Sequence, residues 1–509
     1  MRADAGVRVC LLLAALVSAR CDRDRLSHST TLTIAIANSP ATLDPGVALD
    51  EPSQKIQQLL FRSLLKIDDS LRVVPDLATA FERRDPLTYV ATIPPGVLFH
   101  NGKEMTSADV AYTFNRFLDP SFVSGRKGAY RPLERIDVLD RYTVAFHLKQ
   151  PSASFPINLV MSLVPDGTGA EAARSPIGSG PYRLAEFVPD DHVTLAPFSR
   201  AFGGAPANAG LTFRVVPDET MRGLELRNGS IDMVINDLSP DVVEGLRREP
   251  WLHVITAPGT DFAYLGFNLR DPVLADVRVR QAIGYAIDTD AIIKYLRRGL
   301  AQPAAGILPP MSWAFAPDAF RFTHDPAKAR ALLDEAGYGE RDARGARARL
   351  HLSLKTSTQE AYRLQATVIQ QNLADVGIGV DVRSYEFSTL MADVLAGNVQ
   401  MYTLQWVGVT DPDMLRRAFH SSQTPPGGFN RGFYHNAEVD RLIDAATVAA
   451  TDAERARLYQ AAERVIAADA PYISLWDKTN VAVAAANLTG IQLSPTADFS
   501  FLARVSRAR

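Results

Sequence analysis

The chain has 509 residues, 47% of them hydrophobic and 22% charged, and carries a formal net charge of −3. That length exceeds what one hydrophobic core organises, so roughly two to four domains or subdomains are expected. Near-neutrality argues against a general nucleic-acid or membrane-surface binder, since both draw affinity from excess positive charge. Partners are therefore met through a site.

The only two cysteines are Cys10 and Cys21, which leaves the rest of the chain without a disulfide or a catalytic thiolate. Residues 1–21 read as an export signal: Arg2 and Arg8 precede the apolar run Val9 to Val17, which is too short to span a bilayer. Val17-Ser18-Ala19 offers a cleavage site after Ala19. Cys21 offers the rival outcome, lipid attachment, although Arg20 stands where a small residue is wanted. No later stretch approaches the ~18 apolar residues of a membrane span.

Leu32 to Ile36 alternates at period two and predicts a half-buried strand, ended by the turn Leu43-Asp44-Pro45. Gln54 to Leu65 predicts a helix, with Ile56, Leu59, Leu60 and Leu64 on one face. A strand follows around Tyr89 to Ile93, then an Asn101-Gly102 turn and a helix capped by Thr106 or Ser107 that carries Val110, Phe114 and Phe117 inward. Tyr142 to Leu148 alternates cleanly. Pro176 to Tyr182 is a glycine loop without the spacing of a phosphate cradle, so a close backbone crossing is expected. A helix ending past Gly223 leads to a buried strand, Met233 to Ile235.

Near the middle, Ala263 to Leu269 is almost wholly apolar, broken only by Asn268, and predicts a strand buried on most sides. Arg270-Asp271-Pro272 ends it. From Asp276, a capping residue, Val279, Ala282, Ile283 and Ala286 recur at helical spacing. This change of period marks a hand-over between domains. Beyond it lie a helix from Pro326 to Gly337, a helix from Gln359 to Val376 closed by Gly377, strands Ile378 to Val382 and Met401 to Trp406, and two capped helices starting at Asn436 and Thr451. A last apolar run, Val481 to Ala485, is expected to return to the sheet of the first half. Arg341 to Arg349 reads as a solvated loop.

The chemistry of an exported hydrolase is not apparent. No GxSxG elbow or HExxH helix occurs, and the nine histidines are scattered; His147 falls on a polar strand face, and His100 and His435 in turns. Asp411 and Asp413 form a carboxylate pair at a strand end, where a turn is the simpler reading.

Five blocks, in this order, resemble one family: FHNGKEMTSADVAYTFNR, IGSGPYRL, FNLRDPVLADVRVRQAIGYAID, DPAKARALLDEAG and QWVGVTDPD. The chain is similar to the family 5 solute-binding proteins of bacterial ABC importers, typified by dipeptide- and oligopeptide-binding proteins, from about Leu32 to about Ala497. The resemblance implies an α/β fold, the two-lobed periplasmic-binding-protein fold (type II, cluster C), with an extra subdomain in the first lobe. It places the first-lobe core at residues 31–50, 176–258 and 478–509, the inserted subdomain at 51–175 and the second lobe at 259–477. Crossovers then fall near Pro258 to Phe262 and Trp476 to Asn480.

The implied function is capture of a peptide or peptide-like solute between the lobes of a monomer, without cofactor or metal, and delivery to an ABC permease and ATPase complex from the periplasm. A non-peptide cargo (metal chelate, glycan or opine), a ligand sensor and an exported hydrolase remain alternatives. In peptide-binding members an Asp three residues after a second-lobe Trp holds the ligand's ammonium. Trp406 resembles that Trp, but three residues on stands Val409, and the segment is shortened to Val409-Thr410-Asp411-Pro412. Either Asp411 takes the role or the ligand lacks a free amine there. Candidate ligand-binding residues are thus Trp406, Gly408, Val409 and Asp411, with Val47, Ala48 and Leu49 in the first lobe and Tyr264 and Asn268 at the crossover.

Overall fold

A computed structural model of the protein describes residues 31–339 and 349–508. The export signal with Cys10 and Cys21, and nearly all of the arginine-rich loop 341–349, lie outside them.

One sheet of eleven strands runs through the molecule. From one edge its order is Ile378–Tyr385, Leu350–Ser357, Met401–Trp406, Leu252–Phe267, Tyr472–Ala485, Met233–Ile235, Leu32–Ile36, Leu211–Val215, His192–Pro197 and Tyr182–Val188, with Ala301–Pro303 added beside Tyr472–Ala485. The two long central strands are antiparallel. Residues 252–258 pair with 485–479 in the half of the sheet that holds Leu32–Ile36, and residues 262–266 pair with 477–472 in the half that holds Met401–Trp406. Between Pro258 and Phe262 the register shifts, so Gly259, Thr260 and Asp261 bulge past Lys478. The bulge separates the half of the sheet that holds Leu32–Ile36 from the half that holds Met401–Trp406.

Phe262–Phe267 is buried on both faces, which explains its nearly unbroken apolar run. Ala263, Leu265 and Phe267 enter one core with Ile283, Leu354 and Ile369. Phe262 and Tyr264 enter a second core, with Tyr402, Leu442 and Tyr459. The first lobe has its own core, around Leu32, Ile34, Phe213 and Leu502. A separate cluster of Leu64, Phe99, Phe114 and Phe146 packs under a four-stranded antiparallel sheet, Ala80–Asp85, Thr88–Thr92, Thr143–Leu148 and Leu133–Val138.

Local signals explain the elements. Asp276 caps helix Val277–Ala286, its carboxylate accepting from Arg278 N at 2.9 Å. Thr106 and Asp109 form a capping box on helix Ser107–Leu118, and Thr451 caps Asp452–Asp469. The helix expected over Gln54 to Leu65 instead spans Glu51–Leu60. Asp50 caps it earlier, accepting from Ser53 N at 2.9 Å, and at its end the Leu60 carbonyl receives Gly180 N at 2.9 Å. Leu64 and Leu65 are thereby released into the neighbouring core. The glycine loop is the close crossing its composition suggested: a Cβ on Gly178 would stand 1.9 Å from Leu60 O. His100 locks the loop, Nδ1 accepting from Gly178 N and Nε2 donating to Gly180 O, each at 3.2 Å. Burial pushes its pKa down to about 4, so it stays neutral.

Candidate functional site

A cavity of about 1750 Å³ opens between the lobes. Gln54, Gln57 and Phe61 line it from the first lobe, the segment Arg126–Pro132 from the inserted region, and Gly408, Asp411, Arg417 and Phe429 from the second lobe. The inserted region also touches the second lobe directly. Ala153 N donates to Thr447 O at 2.9 Å, and Arg83 Nη1 donates to Ala449 O at 3.1 Å. Arg72 lies 3.7 Å from Asp452 and, with Arg455, stacks on Trp313. The chamber is therefore walled on three sides while both lobes remain joined through the crossing strands. A second cavity of about 340 Å³ sits in the first lobe beside the crossing, with Asn38, Lys55, Asn236 and Asp237 in its wall.

The second-lobe wall is built on strand Met401–Trp406 and the short segment after it. Trp406 is 7% exposed. Its ring faces the Arg431 guanidinium, 4.3 Å from the ring centre, and meets Phe429 edge-on at 6.2 Å. Phe429 reaches the cavity, so Trp406 stands one layer behind the wall. Gly408 is in the wall, with φ of 65°, a conformation that favours glycine. Its N–H donates to Asp261 Oδ1 at 2.9 Å. Val409 is 1% exposed, packs in the second-lobe core, and donates its N–H to Thr260 O at 2.9 Å. The third residue after Trp406 thus points into the core.

Asp411 lines the cavity and accepts from Asp413 N at 2.8 Å, closing a turn. Burial holds its pKa above the usual carboxylate value. Burial and the neighbouring Asp411 charge push Asp413 up to about 6, and Tyr459 OH donates to it at 3.2 Å.

The other candidates fall elsewhere. Tyr264 is fully buried; it stacks on Tyr472 with ring centres 4.1 Å apart, and its hydroxyl accepts from Arg431 Nη1 at 3.1 Å. Asn268 is buried at the corner, donating to Gly397 O at 2.9 Å and Val399 O at 3.1 Å. In the first lobe Pro45 reaches the cavity. Ala48 is buried and Val47 and Leu49 are exposed, with the loop tied to the inserted region by Arg126 Nε donating to Ala48 O at 3.0 Å. Gly408 and Asp411 therefore share one wall, with Trp406 behind it, while Tyr264 and Asn268 hold the scaffold.

Sequence reasoning missed the wall's cations. Arg126 and Arg417 both face the cavity, and among the described residues neither has a carboxylate within ion-pair distance; Arg417 feels the charge of Asp413 and lies 4.9 Å from the Phe429 ring centre. Nothing in their local pattern distinguishes them from surface arginines. Among the described residues no group of three or more His, Cys, Asp or Glu side chains is arranged to hold a metal ion, and no helix is long and apolar enough to cross a membrane.

Residues 72–426 match a family model described as "Bacterial extracellular solute-binding proteins, family 5 Middle". The chain is 30% identical over 487 residues to the glutathione-binding protein GsiB of Salmonella typhi, covering 92% of this chain and 93% of the relative. In structure it resembles the oligopeptide-binding protein AppA of Bacillus subtilis in complex with a nonapeptide. That match has a TM-score of 0.76 at 26% identity and covers 94% of this chain and 99% of the other. It also resembles the ABC transporter substrate-binding protein CtaP of Listeria monocytogenes, with a TM-score of 0.85 at 25% identity, covering 94% of this chain and all of the other.

Proposed function

The chain belongs to the bacterial extracellular solute-binding proteins of family 5, and from that premise we propose that it captures a peptide or peptide-like solute for an ABC importer. The observation that carries this reading is the chamber itself. It is lined from both lobes, and the lobes are joined by two strands with a bulge at the crossing, so solute contacts made to both walls at once favour the closed arrangement over the open one. The volume exceeds the ~300–1,000 Å³ of most small-molecule sites, which leaves room for an extended solute and its water. The guanidiniums of Arg126 and Arg417, which among the described residues form no ion pair, stand on the same cavity as the carboxylates of Asp411 and Asp413 and suit a zwitterionic ligand with carboxylate groups, as a peptide or glutathione would be.

Within this reading Gly408, Asp411 and Phe429, backed by Trp406, form the second-lobe half of the solute site, and Pro45 with the Val47–Leu49 loop adjoins the first-lobe half. The lobes divide near residues 258–262 and 476–480. The protein works outside the cytoplasm as a monomeric carrier without catalysis or cofactor and hands its cargo to a permease and ATPase. The export signal is cleaved after Ala19 or lipidated at Cys21.

Mass spectrometry of material released by denaturing the purified protein tests the reading. Peptides or glutathione in the eluate support it. A metal chelate, glycan or opine would keep the carrier and replace the cargo, and turnover of a model ester would overturn it.

A further inference from the structure

Beside the two crossing strands, a third piece of chain ties the halves of the molecule together. Ile292 and Ile293 are buried in the second-lobe core with Leu265, Ile283 and Leu475. A few residues later Leu300, 7% exposed, is buried in a different core, with Leu226, Ile231, Val243, Leu252 and Val481. That core belongs to the first lobe and is built by helices Glu219–Asn228 and Pro240–Leu246 against the sheet. The next residue, Ala301, returns to the second-lobe core. Consecutive side chains of an extended chain point to opposite sides, and here the two sides lie in different lobes.

The segment that delivers Leu300 has little slack. Ile292–Leu296 forms a π-helical turn, of the kind that recurs at functional positions. Arg297 N donates to Ile292 O at 3.1 Å, Gly299 N to Ile293 O at 3.0 Å and Leu300 N to Arg297 O at 2.8 Å. Arg298 and Gly299 take φ of 50° and 75°, and a residue with a side chain keeps that backbone only where its surroundings hold it. Ala301–Pro303 then pairs with residues 478–476, beside the register shift of the crossing strands. Arg297 lies over the Trp476 ring at 5.8 Å, and Arg298 Nε donates to Asp241 Oδ1 at 2.8 Å. The Arg298–Asp241 pair is exposed and contributes little, so the apolar burial of Leu300 is the substantial tie.

A change of angle between the lobes carries Ile292, Ile293 and Ala301 with the second lobe, while the pocket around Leu300 stays with the first. Leu300 must then be drawn out of that pocket, leaving apolar surface uncovered. In the structure Leu300 is seated while the contacts from Arg83 and Ala153 to the second lobe are made, so the seated side chain and the closed chamber go together. We propose that Leu300 is a pin at the hinge, held by a turn of the second lobe in the core of the first, and that it limits how far the ligand-free protein opens. This inference rests on the division of the lobes near residues 258–262 and 476–480 proposed above.

Spin-label distances in the ligand-free mature protein test the pin. Cys10 and Cys21 are the only cysteines, so after removal of the signal and with Cys21→Ser, labels attach only at Val123→Cys in the inserted region and Phe387→Cys in the second lobe, positions 86% and 57% exposed. Leu300→Ala should raise the long-distance population about fivefold or more, and Leu300→Val, which covers the case in which the alanine variant does not fold, about twofold. Leu300→Met refills the pocket and should match wild type. Leu226→Ala weakens the same core from a first-lobe helix, and should lower the melting midpoint while leaving the distances unchanged. A long-distance population that neither Leu300→Ala nor Leu300→Val raises, or that Leu226→Ala raises equally, overturns the pin if Arg83→Ala still widens the distribution. If Arg83→Ala also leaves a single narrow distance, the hinge reading itself falls, and the pin with it.

Discussion

Replacing Asp477 with Asn should stabilise the ligand-free protein at neutral and alkaline pH. The Asp477 carboxyl is almost fully buried without a partner, and burial, then the charge of Asp261, moves its pKa from 3.8 to about 8. The sign follows from linkage. A carboxyl whose pKa is higher in the folded than in the unfolded chain contributes its stability in full below the unfolded value, and loses it as pH rises through the folded one. Here the loss runs from about pH 4 to about pH 8. Each pKa unit corresponds to ~1.4 kcal/mol, so about four units set an upper bound near 6 kcal/mol, and relaxation around a strand bulge reduces the expected effect to roughly 2–4 kcal/mol. Asparagine cannot ionise and lacks this part of the pH slope. Differential scanning calorimetry at pH 4, 6.5 and 8.5 should show nearly coincident midpoints at pH 4 and a variant more stable by about 2–4 °C at pH 8.5. Parallel profiles, or a variant below wild type at pH 8.5, would refute the reasoning.

Gly178→Ala would drive a methyl group to 1.9 Å from the Leu60 carbonyl oxygen, and should cost about 3 kcal/mol or more, read as a lowered melting midpoint or loss of soluble protein. Val409→Asp buries a carboxylate at a site 1% exposed and should destabilise by more than about 3 kcal/mol. If the side chain faced the cleft, the variant would melt like wild type. Arg83→Ala removes the donor to Ala449 O, a contact worth up to about 1 kcal/mol. It should shift the ligand-free population toward the open form about fivefold, seen as a larger radius of gyration in solution scattering with little change in melting.

The fold was legible where local chemistry and tertiary demand agree. Asp276, Thr451 and Asn436 announce helix starts because a capping side chain acts within its own turn. The strand at Ala263–Phe267 announces itself because burial on both faces forbids polar residues. The helix at Glu51–Leu60 was misplaced by several residues because its end is decided by Gly180, a partner far away in sequence. The site was only partly legible for a similar reason. The segment Trp406 to Asp411 stands out by its departure from a pattern, and Gly408, Thr410 and Asp411 within it line the cavity while Trp406 and Val409 do not. Whether Val409 turns inward, however, depends on Thr260, and which carboxylate lacks a partner depends on the register of two strands remote in sequence. Arg126 and Arg417 reach the cavity through the packing of remote segments, which no local motif encodes.

The single sheet also dictates the order in which the polypeptide becomes complete. Met233–Ile235 has apolar residues throughout and lies between Leu32–Ile36 and the long strand Tyr472–Ala485, pairing Val234 with Val483. As the chain emerges, the second lobe can gather most of its cores from contiguous sequence, while the first lobe keeps an unpaired hydrophobic edge until Val481–Ala485 arrives. Bare edges of this kind invite mispairing, and contacts between such distant residues form slowly. Arg507, bonded to Asp232 at 2.7 Å, fastens the same edge from the far end. Loss of even a short C-terminal piece would therefore be felt first in the N-terminal lobe, as aggregation during biogenesis, long before any solute is met.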